Sequence, residues 1–199
     1  MQNKIMKNLF LTGAVGCGKS TSLTTALGEN LAKAGGFLTV RQRDEAGKPV
    51  AFWLTRPDGS ERKQILDLSD KSNPMRLEVF SDFGVRLLDE ARNCESVILD
   101  EIGGFEMLSD SFMDALMHLL ESETPIIGVM KGEEPAGKMI QKLGLGDHYV
   151  QKAELLRQWL RQDKNTLLYE CGQFDPEGLR LAIGWVSEHI KDKKTASIS

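Results

Sequence analysis

The chain has 199 residues, 41% apolar and 27% charged, with 19 Gly and 6 Pro, an ordinary composition that excludes collagen-like, low-complexity and wholly disordered proteins and suits one α/β domain. Its 29 acidic residues outnumber 25 basic ones, for a net charge of −4, so no broad basic surface exists to neutralise nucleic-acid phosphates, and nucleic acid is not an expected partner. Cys17, Cys94 and Cys171 match neither a disulfide framework nor a paired zinc spacing, and no apolar run approaches the ~18 residues of a membrane helix, so a cytoplasmic location away from the membrane is expected.

In chain order, Lys4 to Val15 has the outline of a signal peptide, but its apolar core is short and runs into a glycine motif, so the mature protein is expected to begin near Met1. Leu9-Phe10-Leu11 predicts a strand, and a helix-compatible stretch follows from Thr21 to Ala34, closed by Gly35-Gly36. Phe37 to Gln42 and Val50 to Thr55 form a predicted hairpin around Asp44-Glu45-Ala46-Gly47, and Pro57-Asp58-Gly59 marks another turn. The polar stretch Arg62 to Asn73 predicts no element. Leu77, Val79 and Phe80 predict a short strand, and Ser81 a helix cap with Phe83, Gly84, Leu87 and Ala91 on one stripe.

Ser96-Val97-Ile98-Leu99 reads as a strand buried on both faces, ending in Asp100-Glu101. Ser109 caps a predicted helix whose Phe112, Ala115, Leu116, Leu119 and Leu120 form an apolar stripe. Ile126 to Met130 predicts a second buried strand, Glu134 to Leu143 a short helix, and His148-Tyr149-Val150 a small strand before a helix around Leu155, Leu156, Trp159 and Leu160. Leu167-Leu168-Tyr169 predicts a last strand. Asp175 and Pro176 open a final helix with Leu179, Ala182, Val186 and Ile190 on one side. Strands alternating with helices imply a single α/β domain over 1–199: a mostly parallel sheet with helices on both faces, an antiparallel hairpin insertion at about 36–56 and a C-terminal extension at about 163–199. Ligands of such sheets bind at the carboxyl ends of the strands.

The chemistry concentrates in two places. Gly13-Ala14-Val15-Gly16-Cys17-Gly18-Lys19-Ser20 satisfies G-x-x-x-x-G-K-[ST] between a predicted strand and helix, the context of a phosphate-binding P-loop. At ordinary residue frequencies the pattern arises by accident in about 1% of chains this long. Glycines let the backbone turn its amides inward around a phosphate, Lys19 can reach the β- and γ-phosphates, and Ser20 offers a hydroxyl to Mg²⁺. Loop residues 13–20 with Thr21 are thus the candidate nucleotide-binding set. Asp100, at the end of an apolar strand, is the second candidate for the Mg²⁺ site. Glu101 can orient the water that attacks the γ-phosphate, although an Asp-Glu pair on its own is more often a solvated loop start. Lys19 and Glu101 are therefore the candidate catalytic residues.

Gly13 to Thr21, Gly35-Gly36-Phe37-Leu38-Thr39 with Gly47 and Ala51-Phe52, and Asp100-Glu101-Ile102-Gly103-Gly104-Phe105-Glu106-Met107 to Phe112 resemble the small P-loop nucleoside-triphosphatase family that includes the human cancer-related nucleoside triphosphatase. The resemblance covers about Leu9 to Val150. It implies a P-loop NTPase fold and slow, Mg²⁺-dependent hydrolysis of nucleoside triphosphates, ATP and GTP among them, to diphosphates with relaxed base choice. Two positions depart from the family pattern: Val40 replaces an acidic residue, and Gly104 a basic one. An arginine-finger equivalent is sought among Arg41, Arg43, Arg56 and Arg157, each also readable as a surface charge. Two rivals stand beside hydrolysis. A nucleoside or nucleotide kinase usually brings an arginine-rich lid, absent from Glu133 to Asp147; the other rival is a slow-hydrolysing, nucleotide-dependent regulatory switch working through a partner, whose GTPase version would carry an Asn-Lys-x-Asp motif, which the chain lacks.

Among lesser signals, Cys17 reads as small filler or a redox-sensitive loop thiol. Trp53 and Phe37 read as core residues or as rings that stack a base, His118 as structural or solvent-facing, and Glu106 as a support for the Asp100-Glu101 loop.

Overall fold

The computed structural model describes residues 6–70, 72, 75–133, 147–173 and 175–190. Seven strands, β1 (Asn8–Gly13), β2 (Gly35–Arg43), β3 (Pro49–Thr55), β4 (Arg62–Asp67), β5 (Val97–Ile102), β6 (Ile126–Met130) and β7 (Thr166–Cys171), form one sheet in the order β4-β3-β2-β5-β6-β1-β7. From β2 to β7 every pairing is parallel, and β3 and β4 extend the sheet antiparallel beyond β2. The α-helices are α1 (Lys19–Leu27), α2 (Val85–Ala91), α3 (Asp110–Glu121), α4 (Asp147–Gln162) and α5 (Pro176–His189).

Period-two alternation along the central strands sends side chains to both faces. Phe10, Leu99 and Met130 join α2, α3 and α4 in one core, while Leu9, Leu11, Ile98, Ile127 and Val129 meet α1 and α5 in the other. That double burial is why β5 and β6 read as unbroken apolar runs. The α3 stripe is buried as its spacing predicts, and the Ser109 hydroxyl accepts the Phe112 N–H. Asp175 likewise caps α5 through the Glu177 N–H. No helix among the described residues is long and apolar enough to cross a membrane.

Several local expectations are corrected. The first helix ends at Leu27, because Gly28 takes a positive φ of 50°, and a 3-10 segment (Gly28–Lys33) carries the chain onward. Gly35 and Gly36 are not its cap but the start of β2. There Gly36 has φ 88°, and a Cβ would stand 2.1 Å from the Ile98 carbonyl oxygen, so close strand packing demands the glycine. The polar stretch after Asp58 supplies β4, an edge strand whose Ile65 and Leu66 are buried while Arg62 and Lys63 face solvent.

Leu77, Val79 and Phe80 are not a strand. Phe80–Gly84 is a π-helical turn leading into α2, so Ser81 lies inside it and caps nothing; Phe80 packs edge-on to Phe112 at 5.6 Å. Residues 148–150 belong to α4, not to a strand. The buried stripe of α5 is Gly178, Ala182 and Trp185, with Leu179, Val186 and Ile190 half-buried beside it; the Trp185 indole donates to the Lys7 carbonyl. Residues 166–189, unplaced by resemblance, pair β7 with β1 and lay α5 against α1. The helix expected over 134–143 lies outside the described residues.

Candidate active site

The loop after β1 turns on Gly13, Gly16 and Gly18, all at positive φ. Gly13 serves a second purpose, since a Cβ there would lie 2.5 Å from the Cys171 carbonyl oxygen of β7. Gly18, in the left-handed region, precedes α1 without any side-chain cap. The first-turn amides of α1 therefore have neither an intrahelical partner nor a cap, and their dipole favours an anion at this end. Lys19 is buried to 8% exposure and crosses beneath the loop, its ammonium donating to the carbonyl oxygens of Gly13 at 3.0 Å and Ala14 at 2.7 Å.

Asp100 reaches this loop from β5 although β6 lies between β5 and β1. The Ser20 hydroxyl donates to Asp100 Oδ1 at 2.6 Å. Burial is the main cause that pushes the Asp100 carboxyl up to about 6, reinforced by the Glu101 charge and opposed by the Ser20 hydrogen bond. A buried carboxylate beside a hydroxyl is an oxygen donor set that fits a hard cation sharing its remaining sites with phosphate and water. No cluster of three or more metal-ligating side chains occurs among the described residues.

Glu101 stands between two cations, 3.4 Å from Lys131 Nζ and 3.8 Å from the Arg41 guanidinium. Its base is fixed from below. Glu106, fully inside the protein, accepts the Gly104 N–H at 2.8 Å, and the buried Tyr149 hydroxyl donates to the Gly103 carbonyl at 3.0 Å. Burial raises the Glu106 carboxyl above its ordinary range, while its bond from Gly104 opposes the shift. A Cβ on Gly104 would meet Glu106 Oε2 at 2.8 Å. A side chain at 104 would thus require the Glu106 carboxylate to shift, and where the resembled family has a basic residue there, the cation beside Glu101 in this chain is Lys131, from the end of β6.

A hollow of about 350 Å³ joins these groups, lined by Lys19, Ser20, Thr39, Arg41, Asp100 and Glu101 together with Val15, Gly16, Gly18, Thr21 and Val129. Of the loop residues named from the sequence, Gly13 and Ala14 line a separate hollow with Arg157, and Cys17 packs toward the Leu23 core. Of the four arginines considered, only Arg41 lines the 350 Å³ hollow. Arg43 bonds the Gly47 carbonyl in the hairpin turn, Arg56 pairs with Glu90, and Arg157 lies buried against Glu133 and Glu154. Trp53 is engaged by Gln42 and Arg62, and Phe37 packs on Phe112. His118 is exposed on α3. Thr39, quoted above only within the resembling Gly35–Thr39 stretch, and Lys131 were not among the expected site residues. Thr39 stands in β2 just beyond the last residue paired with β5, Leu38 opposite Asp100, and Lys131 just past the carboxyl end of β6, on the side where open α/β sheets bind ligands.

Comparison with known proteins adds an independent line. A family model described as NTPase matches residues 8–158. The chain is 34% identical over 131 residues to the nucleoside-triphosphatase THEP1 of Thermotoga sp. (strain RQ2), covering 62% of this chain and 73% of that protein. It is 30% identical over 152 residues to the nucleoside-triphosphatase THEP1 of Thermofilum pendens, covering 71% and 83%. The fold is similar to the crystal structure of THEP1 from the hyperthermophile Aquifex aeolicus, with a TM-score of 0.64 at 17% identity over 92% of this chain and 99% of that one.

Proposed function

The chain belongs to the NTPase family, and from that premise we propose that this nucleoside-triphosphatase hydrolyses nucleoside 5′-triphosphates to diphosphate and phosphate with Mg²⁺ and broad base tolerance. The observation that carries the reading is the 2.6 Å contact between Ser20 and Asp100. It closes the phosphate loop onto a strand end whose next residue is a second carboxylate.

The residues divide the work. The first-turn amides of α1 and the Lys19 ammonium bind the β- and γ-phosphates and offset charge that spreads over the γ-phosphoryl oxygens as the bond to the leaving oxygen lengthens. Ser20 and Asp100 would hold Mg²⁺, which when bound adds positive charge against the same phosphate oxygens. Glu101, held by Lys131 and Arg41, orients a water toward the γ-phosphorus and accepts its proton. Every group in this scheme addresses phosphate or water, which all nucleoside triphosphates share, and this supports relaxed base choice. The thiols of Cys17, Cys94 and Cys171 are free, which suits a reducing cytoplasm.

The test is phosphate release from ATP, GTP, CTP, UTP and inosine triphosphate, with Mg²⁺ and with excess chelator. Comparable turnover of all five, lost on chelation, is expected. Turnover of a single base overturns the tolerance, and turnover that survives chelation overturns the metal requirement.

A further inference from the structure

Next to the triphosphate hollow lies a second one, of about 270 Å³. Buried Phe37, Leu54 and Phe80 form its floor, and the half-buried rings of Phe52 and Phe105 form part of its walls. Arg41, Glu101 and Lys131 also line it, giving an apolar slot one charged end.

The two hollows share Val15, Thr39, Arg41 and Glu101, whereas Lys19, Ser20 and Thr21 line only the first. Thr21, in the first turn of α1, lines the first hollow alone, whereas Glu101, read above as the group that faces the γ-phosphate, lines both. The second hollow therefore adjoins the phosphate site on its Glu101 and Arg41 side, and on the reading of Glu101 above it opens on the γ-phosphate.

An aromatic slot whose charged end faces a phosphoryl donor suits a molecule with a flat ring at one end and a hydroxyl at the other. At about 270 Å³ it lies near the small end of ligand sites, roughly 300 to 1,000 Å³, which favours a nucleoside without phosphates over a nucleotide. Phe52 and Phe105 offer ring faces for a base, and Glu106, 4% exposed, also lines the slot as a polar group for a base edge. Building on Glu101 as the group that faces the γ-phosphate, we propose that this hollow binds a free nucleoside whose sugar hydroxyl takes the γ-phosphoryl group in place of water. The hydroxyl oxygen bonds to the γ-phosphorus, and the bond from that phosphorus to the β,γ-bridging oxygen breaks. The nucleoside diphosphate leaves with that oxygen, and the hydroxyl proton passes to the Glu101 carboxylate.

The experiment incubates the full chain with Mg²⁺ and ATP radiolabelled in the γ-phosphate, with and without thymidine or guanosine, and separates phosphate from phosphorylated nucleoside by chromatography. Labelled nucleoside monophosphate is expected with at least one of the two. Phe52→Ala should cut its formation at least ~10-fold by removing one stacking face while leaving phosphate release at saturating ATP unchanged, since the ring lies under Arg41, whose loosening would act on KM. Phe105→Ala serves as the second probe should the first fail to fold. Phosphate release without labelled nucleoside overturns the proposal and leaves the hydrolase reading standing, whereas absence of both products overturns both. Transfer that neither variant diminishes overturns the assignment to this hollow.

Discussion

Lys131, the first residue after β6, brings its ammonium to 3.4 Å from the Glu101 carboxylate on the neighbouring strand β5. The pair is only 15% and 18% exposed, whereas Arg41, the other cation on Glu101, is 37% exposed and 3.8 Å away. Charge screening therefore weakens the second contact more than the first. Lys131→Met should lower kcat roughly 3- to 10-fold with little change in KM, because about a kcal/mol of orientation is lost from the water-positioning group. Arg41→Ala should act mainly on KM, since its guanidinium lines the phosphate hollow. Steady-state phosphate release separates the two, and an unchanged kcat in Lys131→Met would remove that residue from the mechanism.

Glu101→Gln keeps the shape of the side chain and removes the proton acceptor. Mg²⁺-dependent nucleotide binding should survive while turnover drops at least ~100-fold, the scale of lost acid-base assistance. Calorimetric titration with a non-hydrolysable triphosphate, set beside single-turnover kinetics, tests both halves.

Lys19→Ala removes the ammonium that now bridges two loop carbonyls. Nucleotide binding should be lost, because no other cation in the hollow rises from within the loop. The thermal midpoint without nucleotide should change far less than the affinity does. A variant that still binds triphosphate tightly would show that the amides suffice.

Gly36→Ala should destabilise the protein by roughly 3 kcal/mol or more, combining positive φ with a backbone clash that neither strand can relieve. Gly47, at φ 77° with open space around it, isolates the conformational cost, and Gly47→Ala should lose only about 1 kcal/mol. Urea midpoints of the two variants make the comparison. Equal losses would mean that the approach to Ile98 is not limiting.

Glu106→Gln should show a pH-dependent gain. Burial raises the Glu106 carboxyl from its ordinary 4.5. As pH climbs from there through the folded-state value, the folded chain retains a proton that the unfolded chain has released, so wild-type stability falls across that window. Glutamine keeps an oxygen for the Gly104 N–H and carries no such loss. The variant's advantage should be absent below pH 4.5, grow through the window and then level off. Urea unfolding at a series of pH values checks it, and a constant difference would mean that Glu106 ionises without penalty.

The phosphate loop, the strands on either side of the hairpin turn, and the α3 stripe were legible because each rests on local rules: turn glycines, alternation, helical spacing and a capping serine. The π-helical turn at 80–84 was not. Leu77, Val79 and Phe80 alternate as a strand would, and only contact with Phe112 decides otherwise, with Gly84 so close that a Cβ would stand 2.8 Å from that ring. Gly35-Gly36 looked like a helix stop because tight turns and tight strand packing both select glycine. Lys131 was hidden for a different reason, since a lysine after an apolar strand has no local mark of its target.

By itself the chain determined what its segments are and which chemical groups they carry, since hydrogen bonding and side-chain burial within a segment depend on near neighbours. Tertiary structure alone decided which ends meet. The insertion of β6 between the strands of Ser20's loop and Asp100, the delivery of Lys131 to Glu101, and the aromatic hollow beyond them all arise from pairing among residues far apart in the chain. No local propensity encodes that, because the free energy resides in burying both faces of one shared sheet.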